Sequence, residues 1–507
     1  MKGLYLLVFL FAITESVAQK EANVWITGND FGIDFNHNRF RVFNREAYGP
    51  NLAAATSVSI CNKETGDLLF YSDGNNVWDR NFRMMPNGRG LISGRLFGQH
   101  ALIIPMPGTP DKYYLFTLKR LEEEDDGLYY TVIDMSLNGG LGDVVPETRN
   151  TMLLTNPLEV LTGTIHENGR DFWVLTHEDD TDRFVVFPIT SQGVGQPILQ
   201  AFGLSYDDYK YGGMAQFSPD RSMLAFNINI SRNSIPSVNE YSPLELYDFN
   251  AETGDLSNRR VLGNSPNIQS ILFSPDNSKL YMGSYNLEEP ALYDLLWQYD
   301  LSANSLEDII KSLDNITWGY KLNDSFSTPA PLPSFKMQLG PDGRLYNGAM
   351  PRNFTETRDL QRMIFYLDNP NDPLDRVITK SRYLDSSNNR NQPNSGVFEQ
   401  SFPNFMQYHF NGLDPIDNST TQEDCAEITL TIYPNPSEDF VSIKGSIANC
   451  LFPAYIKIYN ASGQFLQEVE VFNEPFPQID IRTYPTGVYF LNIETFNRIE
   501  VKKVIKK

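Results

Sequence analysis

The sequence predicts an all-β fold, a β-propeller of about seven blades followed by a small Ig-like β-sandwich. Two observations predict the propeller: a strand-turn-strand unit that recurs six times, and its regular spacing along most of the chain. A third observation predicts the sandwich, because about seven short segments with alternating apolar residues occupy residues 428–507.

The recurring unit is clearest where its turn contains proline and aspartate. Three turns read Ser-Pro-Asp or Gly-Pro-Asp, at residues 218–220, 274–276 and 340–342, each between two apolar segments. Proline presets φ at the second turn position, aspartate closes the turn with its own side chain, and Gly, Asn or Ser suits the next strained position. Three looser copies precede them, at residues 60–71, 103–116 and 165–174.

A unit of about four strands recurs every roughly 45 to 65 residues, a spacing somewhat longer than that of compact propeller blades. One such sheet cannot bury both of its faces, whereas radial stacking against neighbouring sheets buries them. The three proline turns resemble those of WD40-like propeller repeats, which implies the same fold. Six hairpins and a seventh blade assembled from residues 405–410 and 23–28 predict a seven-bladed ring without open edges. Six or eight blades are the alternatives.

The bulk composition describes a globular chain of more than one domain. At 507 residues the chain exceeds the ~250 to 300 residues at which single cores stop growing. Its 41 Lys and Arg against 63 Asp and Glu give a net charge of −22, which repels phosphate backbones. We therefore expect no nucleic acid partner.

The first residues predict export. Lys2 precedes the apolar run 4–13, and the small residues before Gln19 suit a signal peptidase, so we expect cleavage between Ala18 and Gln19. The apolar run is shorter than the ~20 residues that span a bilayer, and no other segment reaches that length. The predicted organisation is a signal peptide at 1–18, a propeller at 19–411, a polar linker at 412–427 and a second domain at 428–507.

Three cysteines occur in the chain. Cys425 and Cys450 lie close to the start of the second domain, and an oxidising compartment would permit a disulfide between them. Two unpaired thiols are the alternative. Cys61 lies in an alternating apolar segment and is expected to be a core residue.

The second domain carries four motifs in a fixed order. They are Tyr433-Pro434-Asn435-Pro436, the turn ending at Gly463, the segment Gly487-Val488-Tyr489, and a basic end with Lys502, Lys503, Lys506 and Lys507. The prolines predict an extended corner, both glycines suit positive-φ turns, and Tyr489 is placed to pack between sheets. Together the motifs resemble the type A C-terminal sorting domain of the type IX secretion system.

This resemblance implies passage through the periplasm and across the outer membrane, with the translocon and a sorting peptidase as partners. The protein would then be secreted or attached to the outer surface. The basic end would be read by that machinery or would simply be solvated. Residues 25–35, 69–80 and 135–143 also resemble the propeller regions of large surface proteins of gliding bacteria in the Bacteroidota, which have no single activity.

The sequence shows no catalytic motif. The five histidines form no metal-ligand spacing with one another or with cysteine, and no phosphate loop, GxSxG elbow or HExxH helix occurs. We predict no catalytic residue, cofactor or metal, with calcium as the one candidate cation, at residues 178–182. The acidic run 122–126 is interpreted as a solvated hairpin tip, and Asn29, Asp30 and Asp34 form a weaker cluster.

The predicted function is a secreted or surface propeller that binds a protein or glycan, or acts as a scaffold. One alternative is a propeller hydrolase or lyase acting on a polysaccharide or lactone, because such enzymes gather acids and histidines from several blades without a linear motif. Another is a structural adhesion or gliding-associated envelope protein. Two carboxylates with a histidine or arginine at one channel mouth would favour the enzyme, and a flat aromatic face would favour binding.

Overall fold

The structure is a computed structural model with two compact units, Met1–Pro415 and Ile416–Lys507. The first unit is described at residues 20–27, 31–37, 40–44, 57–94, 99–120, 125–203, 205, 209–231, 243–264, 268–285, 294–318, 330–331, 336–348, 363–373, 376–377, 379–383 and 402–411. The second is described at residues 430–445, 454–471, 476, 478–495 and 498–507. The predicted cleavage site at Ala18 and Gln19, and both Cys425 and Cys450, lie outside these residues.

The described part of the first unit contains seven antiparallel sheets of three to five strands, each built from one stretch of the chain. Blade 1 comprises β1 (Val24–Ile26), β2 (Phe31–Asp34) and β3 (Arg41–Asn44). Blade 2 comprises β4 (Val58–Cys61), β5 (Leu68–Ser72), β6 (Asn76–Asp79) and β7 (Met84–Arg89). Blade 3 comprises β8 (Ala101–Pro105), β9 (Lys112–Lys119), β10 (Gly127–Asp134), β11 (Asp143–Val144) and β12 (Thr151–Thr155).

Blade 4 comprises β13 (Thr162–Ile165), β14 (Phe172–His177), β15 (Arg183–Thr190), β16 (Gly193–Val194) and β17 (Ile198–Ala201). Blade 5 comprises β18 (Tyr209–Phe217), β19 (Met223–Ser231), β20 (Pro243–Phe249) and β21 (Leu256–Asn264). Blade 6 comprises β22 (Ile268–Phe273), β23 (Lys279–Tyr285), β24 (Asp294–Asp300) and β25 (Asp314–Asn315), with helix α1 (Leu306–Lys311) before its last strand.

Blade 7 comprises β28 (Lys336–Leu339), β29 (Leu345–Gly348), β30 (Met363–Leu367) and β31 (Thr379–Tyr383). A two-stranded pair, β26 (Thr317–Trp318) and β27 (Ala330–Pro331), lies between blades 6 and 7 in the chain. Within the described ranges, no helix combines the length and hydropathy needed to cross a bilayer.

The seven sheets close into a ring, because an apolar cluster fills each junction between neighbours. Blade 1 packs on blade 2 through Val24 and Trp78, and similar clusters join each following pair of blades up to blades 5 and 6. The last cluster joins blades 6, 7 and 1, and there Trp25 packs edge-on against Tyr346 at 5.3 Å. Each sheet thereby buries both faces against its neighbours, which confirms the predicted seven-bladed propeller.

The two ends of the ring differ in their connections. At one end, the turn face, first and second strands are joined by the six predicted turns: residues 62–67, 106–111, 166–171, 218–222, 274–278 and 340–344. Equivalent residues Arg221, Asn277 and Gly343 adopt φ of 70°, 67° and 75°, as the turn chemistry requires. At the other end, the loop face, second strands end and third strands begin, with 11 residues between them in blade 5 and 14 residues in blade 7.

The predicted closing strand at residues 405–410 is wrong, although the two ends of the ring do meet. Residues 402–406 form neither helix nor strand in the described structure, and Gln407–Phe410 form a 3-10 turn. Phe405 packs against Trp25 with ring centroids 6.1 Å apart, whereas Tyr408 packs against Phe172 of blade 4. The apolar alternation that predicted a strand arises because successive side chains contact different blades around one axis.

The second unit is a β-sandwich of seven strands in two sheets. One sheet contains β32 (Leu430–Tyr433), β33 (Phe440–Gly445) and β36 (Ile479–Asp480). The other has the order β35 (Phe465–Val471), β34 (Ala454–Asn460), β37 (Gly487–Thr495) and β38 (Arg498–Lys506). Alternate residues of both sheets, including Val441, Ile456 and Leu491, form one buried apolar cluster.

Candidate functional site

The axis of the ring is occupied by residues 402–411, which we name the axial segment. The Asn404 side chain donates to the carbonyl oxygens of Ala101 in blade 3 and of Leu161, just before blade 4, at 2.9 and 3.1 Å. Its backbone N–H donates to the carbonyl oxygen of Ser57, next to blade 2, at 3.0 Å. One residue therefore links three blades at the loop face, where their innermost strands begin.

Buried carboxamides continue this network along the axis. Gln338 of β28 donates to the carbonyl oxygen of Pro403 at 2.6 Å, and its own side-chain oxygen accepts from Gln407 at 2.9 Å. On the other side, Gln99 donates to the Gln216 side-chain oxygen at 3.3 Å. Because an amide both donates and accepts, it can satisfy backbone groups of two elements at once.

Beside the axial segment, at the loop face, lies a small cavity of about 50 Å³, lined by polar groups of several blades and by the axial segment. This volume admits a few water molecules, each of which needs ~10–15 Å³. Lys336 at the start of β28 is its one cationic lining residue, and burial lowers the pKa of its amine to about 8. No carboxylate lines this cavity among the residues that the structure describes.

The nearest buried acid on the loop face is Glu159, which precedes β13. Burial raises the pKa of its carboxyl to about 7, although a 2.7 Å hydrogen bond from the Gly212 N–H and the nearby Arg120 charge both oppose that rise. Arg120 is itself ion-paired to Asp179. Because no described histidine is bonded to this carboxyl, the arrangement does not supply an acid-base pair.

Two of the acids predicted as a calcium candidate have arginine partners. Asp179 accepts from the Nε atom of Arg120 at 3.1 Å, and Glu178 pairs with Arg183 at 2.6 Å. In the weaker cluster, Asp34 lies 3.3 Å from His37, while Asn29 and Asp30 are outside the described residues. No group of three or more potential metal ligands is present in the described parts of the chain.

His409, His177 and Cys61 are placed in packing roles. His409 lies in the axial segment, and burial lowers the pKa of its imidazole to about 3, so it is neutral. His177 packs against Phe184 and Phe226 in the junction of blades 4 and 5. The Cys61 thiol accepts from the Val24 N–H at 3.2 Å, and burial raises its pKa, which disfavours the reactive thiolate.

In the sandwich, the proline motif holds the end of the last strand. The Asn435 side chain donates to the carbonyl oxygen of Lys503 at 2.7 Å and accepts from the N–H of Ile505 at 2.9 Å. The Ser437 N–H donates to the carbonyl oxygen of Ile505, and the Lys507 N–H donates back to Ser437, both at 2.9 Å. We name residues 434–438 the clasp.

The four terminal lysines do not form a uniform basic surface. Lys506 is only 9% exposed, and its ammonium group donates to the carbonyl oxygens of Glu438 and Lys507. Lys502 pairs with Glu500 at 2.6 Å, whereas Lys503 and Lys507 are exposed. The expectation of a free basic end therefore applies to two of these lysines only.

The remaining motif residues shape turns and core. Gly463 adopts φ of 81°, as expected for a left-handed turn position, but Gly487 does not, because it begins β37 and pairs with Lys506 in the ladder. The expected positive φ at Gly487 is thus wrong. Tyr489 is buried between the sheets and donates to the carbonyl oxygen of Pro485 at 2.7 Å. Pro434 and Pro436 lie in the bend between β32 and β33.

Sequence reasoning missed the axial network. Gln216 and Gln338 occupy the same position in two repeats, two residues before the Ser or Gly of the proline turn. A polar residue in a strand that is otherwise apolar indicates a buried partner. The repeated glutamine at this position could therefore have predicted a buried hydrogen-bond network.

Residues 431–507 match a family model described as a secretion system C-terminal sorting domain. Solved structures with a similar arrangement include hydrazine synthase of Kuenenia stuttgartiensis, at 11% identity over 71% of this chain and 80% of that chain with a TM-score of 0.35. Puromycin hydrolase is 8% identical over 94% of this chain and 59% of that chain, with a TM-score of 0.39.

The β-propeller domain of the Trilobed protease from Pyrococcus furiosus is 9% identical over 59% of this chain and 100% of that chain, with a TM-score of 0.25. A comparison with curated proteins finds no match. Similarity at this level carries no argument about activity, so the propeller assignment depends on the closed ring of seven sheets described above.

Proposed function

Because the chain carries a sorting domain that directs it through type IX secretion to the cell surface or the medium, we propose that its propeller acts there as a binding or scaffold module. The ligand-binding surface in this proposal is the loop face. The sorting domain delivers the propeller to its place of action and interacts with the secretion machinery.

The observation that carries this proposal is the filled axis. Propeller enzymes gather reactive side chains of several blades around a central channel. Here the axial segment occupies that position, and Asn404 and Gln407 use the polar groups of the inner strands for hydrogen bonds. The polar side chains in the described lining of the mouth are carboxamides, Ser57, His100 and Lys336, so it supplies groups that bind rather than a carboxylate pair that reacts.

The connections favour the loop face as the binding surface. Six connections at the turn face are short turns whose side chains close the turns themselves, as Asp220 does by accepting from Ser218 at 2.6 Å and from the Ser222 N–H at 3.0 Å. Longer chain stretches join strands at the loop face in blades 5 and 7, and at the turn face between the last two strands of blades 6 and 7. The loop face is favoured because it also carries the cavity beside the axial segment, and function is commonly carried on loops that a rigid scaffold positions.

The finer assignments are part of the same proposal. We infer that the sorting domain is of type A, that the source belongs to the Bacteroidota, that residues 1–18 are a signal peptide, and that the blades are WD40-like repeats. The order of the motifs at Asn435, Gly463 and Tyr489 supports the first of these, and the turns at residues 218–222 and 274–278 support the last. The ligand is a protein or a glycan, and the proposal requires no cofactor.

The test is a binding screen with the purified chain on a glycan array and a peptide array. We expect retention on one class of probe, with binding reduced at least tenfold by Lys336→Ala or Phe402→Ala at the mouth. Arg170→Ala, in an exposed turn of the turn face, is the matched control and should bind normally. Release of reducing sugar from a retained glycan, or binding that only the turn-face variant reduces, would refute the proposal.

A further inference from the structure

Exposed apolar side chains are concentrated in the sandwich. Five of the twelve large apolar residues that are exposed in the described structure belong to it, although it is much the smaller unit: Tyr433, Phe465, Phe490, Val501 and Ile505. Contiguous exposed apolar surface marks an interaction site in a soluble protein. Four of the five lie on the larger sheet of the sandwich.

The strand register places three aromatic side chains in one line across this sheet. Tyr459 of β34 pairs with Phe465 of β35 on one side and with Phe490 of β37 on the other. The rings of Tyr459 and Phe465 are 5.8 Å apart, and Phe465 and Phe490 are 50% and 36% exposed. Directly opposed residues lie ~4.5–5.5 Å apart, so these side chains form a continuous strip, which we name the aromatic row.

The alternation along each strand shows that the aromatic row faces away from the core. Ile458, Tyr489 and Leu491, the sequence neighbours of the row residues, are all buried between the sheets. Val501 and Ile505, 62% and 39% exposed, flank the row on β38, two residues to either side of the position opposite Phe490. The apolar part of the outer face is therefore the aromatic row together with Val501 and Ile505, because the other residues in the row of Val501 are the polar Asn492, Lys457 and Glu468.

One cation extends the aromatic row. Lys503 of β38 pairs with Phe490 in the ladder, its side chain is exposed, and no described carboxylate forms an ion pair with it. By contrast, Lys457 beside the row lies 3.8 Å from Glu468. The face thus combines an apolar strip with one uncompensated positive charge, which complements an apolar surface that carries a carboxylate.

We propose that the aromatic row and Lys503 form the surface by which this domain docks on a protein of the secretion machinery, at an apolar patch bearing a carboxylate. The aromatic row crosses three strands spaced ~4.8 Å apart, and with Val501 and Ile505 it gives an apolar patch on the order of 200 Å². A stable dimer requires about 800 Å² per partner, so a second copy of this chain does not fit, whereas a brief contact during transport does. This proposal rests on the export role of the domain and is independent of any propeller ligand.

The test is export of the full chain with its own signal segment, measured by immunoblot of periplasmic, surface and medium fractions. Phe465→Ser with Phe490→Ser should reduce the surface and medium fraction at least tenfold and leave the protein in the periplasm. Lys503→Glu should also reduce export, whereas Lys503→Arg and Phe490→Tyr should not. Phe202→Ser, at a propeller residue with 39% exposure, is the matched control.

Two results would overturn the proposal. One is normal export of both Phe465→Ser with Phe490→Ser and Lys503→Glu. The other is a wild-type dimer in size-exclusion chromatography with light scattering that the double variant converts to a monomer, which would assign the face to contact between copies. Lys503→Glu keeps the test decisive if the double variant does not fold, because this exposed side chain has no packing role. Thermal melting of the purified variants identifies that case.

Discussion

Replacing Asn404 by alanine tests whether the axial segment holds the ring together. The substitution removes two hydrogen bonds to the carbonyl oxygens of Ala101 and Leu161 and the contact that Gln99 donates to its side-chain oxygen at 3.4 Å. Leaving a partly buried acceptor without its donor costs about 1 to 1.5 kcal/mol, so the two carbonyl groups together cost about 2 to 3 kcal/mol.

This loss can be converted into a shift in melting temperature. Unfolding entropy is about 2.1 cal/mol/K per residue, so a cooperative ring of about 390 residues has roughly 0.8 kcal/mol/K. A loss of 2 to 3 kcal/mol therefore lowers the propeller transition by about 3 °C. The shift is small because the ring is large, and it requires calorimetry with replicate scans of the full chain.

Asn411→Ala provides the control, because Asn411 belongs to the same segment but is exposed. The control should melt with the wild type. If the Asn404→Ala and Asn411→Ala chains melt within about 1 °C of each other, the axial bonds contribute nothing to the ring, and the reasoning from the filled axis fails. A drop much larger than 3 °C would instead show that the segment is released as a unit.

Three further predictions follow from the same structure. The carboxyl of Glu159 has a pKa of about 7 in the folded state, above its value in the unfolded chain, so the folded state binds the proton more tightly. This tighter binding stabilises the fold fully below about pH 4.5, and the stabilisation is lost as the pH rises to about 7. The loss is about 3 kcal/mol, and the urea midpoint of Glu159→Gln should therefore rise relative to wild type between pH 4 and pH 8; a constant difference between the two chains would contradict this. Asn435→Ala should accelerate amide exchange at residues 503–507, because two clasp bonds to β38 are lost, and exchange equal to that of the exposed-site control Gln478→Ala would count against the clasp. Cys61 should resist iodoacetamide in the native chain because it is fully buried, and denaturation without reductant should release one reactive thiol if Cys425 and Cys450 are bridged; three reactive thiols would rule out that disulfide.

Local patterns predicted the blades well, because each blade is formed by neighbouring parts of the chain. The turns at residues 218–222, 274–278 and 340–344 combine proline, an aspartate acceptor and a residue with positive φ, and these requirements act within five residues. The alternation of apolar residues then predicts the following strands, such as the third strands β20 and β24. Six of the seven blades follow from these units, whereas the seventh, blade 1, is formed by β1 to β3 without the predicted strand at residues 405–410.

The axial segment could not be predicted in the same way, because its partners lie far away in the sequence. Asn404 is bonded to groups some 300 residues earlier, and nothing beside it in the chain records those contacts. Its neighbours Phe405 and Tyr408 alternate like strand residues, yet each packs on a different blade. An alternation of apolar residues shows that both sides of a segment are buried. It does not show whether the segment lies in a sheet or is surrounded by several blades.

The functional residues also differ in whether the local sequence could predict their contacts. The clasp was visible as a motif because Asn435 and Pro436 have distinctive chemistry, although its bonds to residues 503–507 were not. The aromatic row was not visible, because Tyr459, Phe465 and Phe490 lie on three strands and become neighbours only through the register. The positive φ predicted at Gly487 was wrong because glycine also occurs at the start of strands.

The course of the axial segment also determines where the chain leaves the propeller. Asn404 lies with the beginnings of the inner strands, whereas Tyr408 contacts Phe172, which directly follows a turn of the opposite end. The polypeptide therefore enters the axis at the loop face and runs toward the turn face. If the loop face binds the ligand as proposed, Asn411 at the end of this segment lies at the opposite end of the ring from the binding surface.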